Sequence, residues 1–120
     1  MPKRLTDDER ILRSISEADW QAQVIEYAQF QGWMVAHFRP ALTGKGQWLT
    51  AVAADGAGFP DLVCARNGVV IFAELKREVG KVTDLQRRWL DELGPRDNWD
   101  TQEVYVWRPS DWKEVQACLK

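Results

Sequence analysis

Across residues 17–31 the apolar side chains Trp20, Val24, Tyr27 and Ala28 recur at i, i+4, i+7 and i+8, the spacing of one helix face. Ser14 or Ser16 is placed to cap that helix and Gly32 to stop it. The pattern then changes period. Residues 33–38 read as a first strand, and residues 43–58 form a long Gly-containing loop, a length that in a small domain often marks function. Leu62 to Ala65 and Val69 to Lys76 are apolar and rich in β-branched residues, and the Asn67-Gly68 pair between them is a strong two-residue hairpin signal. A capping-box pattern, Thr83-Asp84-Leu85-Gln86, opens a second helix over residues 84–93. On its wheel Gln86 falls in the inward arc of Leu85, Trp89, Leu90 and Leu93, while Arg87 and Arg88 face out. A turn over 94–100, a buried strand over 102–107 and a last helix capped by Ser110, with Trp112, Val115 and Leu119 on its face, complete the chain. Residues 1–13 are highly charged and form either a short helix capped by Thr6 or a loose arm.

This order of helix, three strands, helix, strand, helix predicts an α/β fold, a central mixed sheet with helices on its faces. At 120 residues the chain is expected to hold one domain over residues 16–120 behind an arm of residues 1–15. No apolar run reaches membrane-spanning length and the N-terminus lacks a signal-like stretch, so a cytoplasmic protein is expected. The cysteines, Cys64 and Cys118, have no partner at metal-ligand spacing and read as reduced core residues.

Charge narrows the picture only when it is read locally. The formal net charge is −2 and the pI about 5.4, a poor start for a non-specific polyanion binder. Residues 76–88, however, carry a net +3 from Lys76, Arg77, Lys81, Arg87 and Arg88, and residues 32–54 hold no acid but include Arg39 and Lys45. A basic surface can therefore form on an acidic protein, with Arg39, Lys45, Lys81, Arg87 and Arg88 as candidate DNA contacts.

The hairpin brings candidate chemistry together. If its strands pair, Asp61 returns beside Glu74, and Lys76, two residues on, shares the Glu74 face. Two carboxylates held that close repel each other and call for a cation, and all-oxygen ligation suits Mg²⁺ or Mn²⁺. Lys76 is then placed to polarise an attacking water or to stabilise charge on a phosphorane. Each piece also has an ordinary reading, since Pro-Asp is a common turn and Glu-x-Lys a common solvated edge pair. Other chemistries fare worse. His37 is the only histidine, which excludes an imidazole-built zinc site and leaves it as a core or groove residue. No phosphate-binding glycine loop is present, so no nucleotide cofactor is expected. Trp48, in the long loop, either stacks on a base or covers the core, and the cover is favoured.

The Pro-Asp…Glu-x-Lys constellation resembles the PD-(D/E)xK nuclease superfamily, whose core is restriction-endonuclease-like, and residues 16–119 resemble its VRR-NUC branch. The resemblance rests on Ser16-Glu17, Gly32-Trp33, Gly58-Phe59-Pro60-Asp61, Phe72-Ala73-Glu74-Leu75-Lys76, Gly80-Lys81-Val82-Thr83 with Gln86, and Val104-Tyr105-Val106-Trp107-Arg108-Pro109. It implies a metal-dependent nuclease in which Asp61, Glu74 and the Leu75 backbone carbonyl bind the cation. Lys76 would serve the water, Glu17 would be an accessory carboxylate, and Gln86 would line the site. Small stand-alone members act as homodimers on branched DNA such as four-way junctions, which makes a junction-cleaving endonuclease the leading expectation. A flap or end nuclease, or a restriction-like nuclease working with a partner, comes second. A binding module without turnover comes third.

Overall fold

The computed structural model describes residues 3–38, 41–42, 46, 48–49, 52–94 and 101–120. Thr6 opens α1 (Asp7–Ser14) through a reciprocal capping box with Glu9, so the charged N-terminal segment is a helix and not a loose arm. Ser16, rather than Ser14, caps α2 (Glu17–Phe30) by accepting the Asp19 N–H at 3.0 Å.

The strands are β1 (Met34–His37), β2 (Ala41–Leu42), β3 (Trp48–Leu49), β4 (Leu62–Arg66), β5 (Val69–Leu75) and β6 (Gln102–Trp107). Four of them form one mixed sheet in the order β1-β4-β5-β6, antiparallel except for the parallel β5–β6 pair. Helix α3 (Asp84–Leu93) makes the crossover that a parallel pair requires. A 3-10 turn at Pro109–Asp111 leads into α4 (Trp112–Leu119). The result is α/β, an open mixed sheet flanked by helices, as the hydrophobic pattern predicts.

Register follows from the β4–β5 turn. Asn67 and Gly68 both adopt positive φ, 50° and 83°, the type I′ geometry whose twist matches the flanking strands. One sheet face packs on α2 and α4, and Trp20, Val24, Leu62, Cys64, Ile71, Leu75, Trp107, Val115 and Leu119 are all buried there. The large indoles also satisfy their donors. Trp20 Nε1 donates to the Trp107 carbonyl at 3.0 Å, and Trp33 Nε1 to that of Leu119 at 2.9 Å, tying helix to sheet and sheet to C-terminal helix. On the opposite face, Phe59 meets Phe72 of β5 and Trp89 of α3 edge-on, at ring-centroid distances of 6.0 and 5.0 Å.

Three expectations need correction. Residues 43–58 are not without structure, because β3 pairs with β2 in a two-residue ladder too short to leave a periodic signal. Strand β6 is an edge strand and mostly half-buried, with Trp107 its buried residue, since nothing pairs beyond it among the described residues. Ser110 does not cap α4: it lies within the 3-10 turn and its N–H donates to Glu78 Oε1 at 3.0 Å. Both cysteines are free, Cys64 buried and Cys118 half-buried. The turn expected over 94–100 lies largely outside the described residues.

Candidate active site

The β4–β5 register pairs Leu62 with Ala73, so the next step of the ladder sets Asp61 opposite Glu74. Two backbone contacts hold Asp61 there. Its carbonyl accepts the Phe38 N–H at 2.8 Å, and its Oδ2 accepts the Leu75 N–H at 2.8 Å. Lys76 is fixed by the parallel ladder, donating its N–H to the Trp107 carbonyl at 3.0 Å.

Glu74 is the buried charged side chain of the described core, 1 % exposed. Its Oε1 accepts from Gln86 Nε2 at 3.0 Å and lies 4.0 Å from Lys76 Nζ, whose side chain is 12 % exposed. Its Oε2 is buried and accepts no hydrogen bond from an N–H or hydroxyl donor among the described residues; the neighbouring Asp61 carboxyl can pair with Glu74 only through a shared proton. An unsatisfied carboxylate oxygen in such a place is costly. Burial, then the neighbouring Asp61 charge and the hydrogen bond between the two carboxyls, push the Glu74 carboxyl up to about 8, so without a cation the pair holds on to a proton that two free carboxyls would release. Asp61 is also raised by burial, against the lowering effect of the Leu75 N–H.

Gln86 resolves two competing roles by filling both. Its Oε1 accepts the Thr83 N–H at 2.9 Å, closing the capping box, while its Nε2 reaches Glu74. The inward arc drawn for α3 holds for Gln86 and for Leu90 but not for Leu85, which is 53 % exposed because α3 covers only part of the sheet. What brings α3 so close is Gly58. With φ +85°, it presents bare backbone to the first turn of α3, where a Cβ would stand 2.7 Å from the Leu85 carbonyl carbon and 2.9 Å from the Gln86 nitrogen. This packing role is not apparent from the Gly58-Phe59-Pro60-Asp61 motif itself, whose only hint is a glycine directly before an aromatic residue.

Glu17, in the first turn of α2, is exposed. It is still near enough to the centre for its carboxyl to be raised, first by partial desolvation and then by Asp61, with Lys76 and Arg77 opposing. Glu26 is exposed and belongs elsewhere, on the rim of a cleft of about 490 Å³ that includes Phe30 and Trp112. The carboxylates of Asp19 and Glu26 make that cleft a poor host for a polyanion. His37 is half-buried, pairs with Leu62 and is close enough to lower Asp61 by charge. Lys81, Arg87 and Arg88 are exposed, whereas Arg39 and Lys45 lie outside the described residues. A pair of ties that sequence reading missed steadies the loop after Lys76: Arg108 Nη2 donates to the Gly80 carbonyl at 2.7 Å, and Glu78 accepts from Ser110.

The donors fit a hard divalent cation. They are oxygens only, one is buried without a donor to satisfy it, and burial beside the Asp61 charge raises the carboxyl that carries it. Among the described residues no three His, Cys, Asp or Glu side chains converge, so main-chain oxygen and water would complete such a shell.

The α/β sheet is compatible with a restriction-endonuclease-like core, and the comparison with family models points the same way. A model of the VRR-NUC domain matches residues 7–108, and the chain belongs to that family. The family consists of nuclease-type domains, which makes DNA the implied substrate, and it is usually dependent on divalent metal. The match takes in α1 and ends before α4, although Val115 and Leu119 of α4 are part of the core. A comparison with curated proteins gave no match. Among the described residues no helix is long and apolar enough to cross a membrane.

Proposed function

We propose that the protein is a divalent-metal-dependent DNA endonuclease of the PD-(D/E)xK type, in which Asp61, Glu74 and the Leu75 carbonyl hold Mg²⁺ or Mn²⁺. The observation that carries this reading is Glu74, buried beside a second carboxylate with one oxygen that no N–H or hydroxyl among the described residues satisfies. A fold keeps such a group only where something it binds repays the desolvation. The cation, when bound, supplies the positive charge that acidifies water and offsets charge on the phosphate.

The chain's own groups do the positioning. Gln86 anchors Oε1 of Glu74, which leaves Oε2 to face the ligand. The Leu75 N–H holds Asp61 Oδ2, which orients the other carboxylate. The Lys76 ammonium, largely shielded from solvent, orients water and stabilises charge building on the phosphate oxygens. Glu17 assists from the mouth of the site. Arg39, Lys45, Lys81, Arg87 and Arg88 bind phosphates.

For substrate, the net charge of −2 supports a protein that binds long duplex weakly and gains affinity by adding surfaces. Two copies on a branched molecule do this through effective concentration, so we infer a homodimer that cuts four-way junctions. A flap or end nuclease is the second reading, favoured by the exposed Phe38 ring at the mouth of the site. Purified protein incubated with duplex, flap, splayed and four-way DNA, in Mg²⁺, Mn²⁺ or EDTA, tests both. Metal-dependent cutting of junctions by a dimer is the expected result. Cutting in EDTA, or full activity in Asp61→Asn, would overturn the site. A monomer that degrades linear duplex as readily as junctions would overturn the substrate.

A further inference from the structure

Seven large apolar side chains are exposed among the described residues, and three of them border a single turn, residues 56–59, which leads directly into Asp61. Phe38 is 46 % exposed and meets Phe59 edge-on at 5.5 Å. Leu85, 53 % exposed, lies against Gly58. Val52 is 51 % exposed, its Cβ 3.0 Å from where a Gly56 Cβ would stand. Random leftover hydrophobics would scatter, whereas these three border the same turn.

Phe38 is the member nearest the chemistry. Its N–H bond to the Asp61 carbonyl extends the β1–β4 register one step past His37 and Leu62. Directly opposed residues of an antiparallel pair share a face, so Phe38 stands on the Asp61 side of the sheet. The ring is also held in place, because Phe59 behind it is packed against Phe72 and Trp89, and Trp89 Nε1 donates to the Asp55 carbonyl at 2.8 Å. An aromatic side chain kept rigid and half in water beside the carboxylates is a platform awaiting a flat apolar partner.

Nucleic acid has such a partner in its bases. In duplex the bases stack on one another and offer the protein phosphates and groove edges; an unpaired nucleotide can turn a whole face toward a side chain. A cation for the backbone is adjacent, since Arg88, three residues after Leu85 on α3, lies on the same side of that helix and is exposed. We propose that the apolar border of this turn, Phe38, Val52 and Leu85, receives an unpaired nucleobase, Phe38 stacking on the base next to the cleaved phosphate. The substrate class is thereby DNA with an unpaired nucleotide at the cut. This rests on the metal-dependent nuclease reading above, in its flap or end form rather than its four-way-junction form.

The test uses 2-aminopurine, a fluorescent adenine analogue, at the first unpaired position of a splayed DNA and at the same position of a matched duplex, with EDTA present. Wild type and Phe38→Trp should quench the unpaired probe. Phe38→Leu should leave it bright and weaken binding to the splayed DNA about 5- to 100-fold, with duplex binding unchanged. Thermal melts establish that the variants fold. Should Phe38→Leu fail to fold, Leu85→Ala, at an exposed position, decides, with a smaller loss expected on splayed DNA alone. Equal losses on both DNAs, unchanged binding, or no binding to splayed DNA at all would overturn the proposal. Cleavage in Mg²⁺ with a silent probe would sink the stacking role and leave the nuclease reading standing. A stacking signal without cleavage in Mg²⁺ or Mn²⁺ would do the reverse.

Discussion

Glu74→Gln should make the metal-free protein more stable and abolish its function. Glutamine has the shape of glutamate, and the Gln86 amide can still donate to its oxygen, so the substitution removes a charge and little else. In the folded chain burial and Asp61 raise Glu74 from the ordinary 4.5 to about 8. The native state therefore keeps a proton that the unfolded chain releases, and stability falls as pH rises through that window. Below the unfolded value no penalty applies. Each pH unit inside the window is worth about 1.4 kcal/mol at most, and Asp61, raised in the same direction, adds to the slope. Between pH 5 and pH 8 we expect Glu74→Gln to gain about 2–4 kcal/mol over wild type, a midpoint shift of roughly 1–2 M in urea. Paired urea titrations in EDTA at both pH values measure this. Saturating Mg²⁺ should then close the gap for wild type alone, because a ligand that binds only the native state stabilises it. A difference that does not grow with pH, or a variant less stable than wild type at pH 8, would refute the reasoning.

Four further outcomes follow from the geometry. Gly58→Ala should cost about 1–3 kcal/mol in urea titrations and lower kcat, because a Cβ at φ +85° meets the first turn of α3 and displaces Gln86 from Glu74. Lys76→Ala should slow cleavage about 10²- to 10⁴-fold with metal binding by calorimetry largely intact, whereas Asp61→Asn should weaken the metal itself. Glu17→Gln should reduce kcat/KM about 10- to 100-fold and Glu26→Gln should leave it unchanged; the opposite ranking would refute the accessory role given to Glu17. Replacing Lys81, Arg87 and Arg88 by Gln should reduce the slope of log affinity against log salt by about one per lost phosphate contact, without altering the metal requirement.

Local physics explains which parts of this molecule its amino-acid order determined. Helix α2 could be read because Trp20, Val24 and Ala28 repeat at 3.6-residue spacing between a serine cap and a glycine stop. The β4–β5 hairpin could be read because Asn67 and Gly68 tolerate positive φ, and that turn alone sets the register that brings Asp61 to Glu74. Thr83 and Gln86 announced the start of α3 by their three-residue interval. Other features depend on groups remote in sequence, which no local pattern reports. The exposure of β6 depends on its being last in the sheet, and that of Leu85 on how little of the sheet α3 covers. The start of α4 is not legible locally because Ser110 has a distant partner in Glu78. Glu74 itself is the sharpest case: its residue type and strand position are local, but its burial, its unsatisfied oxygen and its raised pKa exist only once α3 docks on Gly58 and the second carboxylate arrives. Sequence determined which groups would meet at the strand ends, because turn geometry and side-chain alternation act over a few residues. The tertiary structure decided how dry that meeting place is, because desolvation is set by everything packed around it.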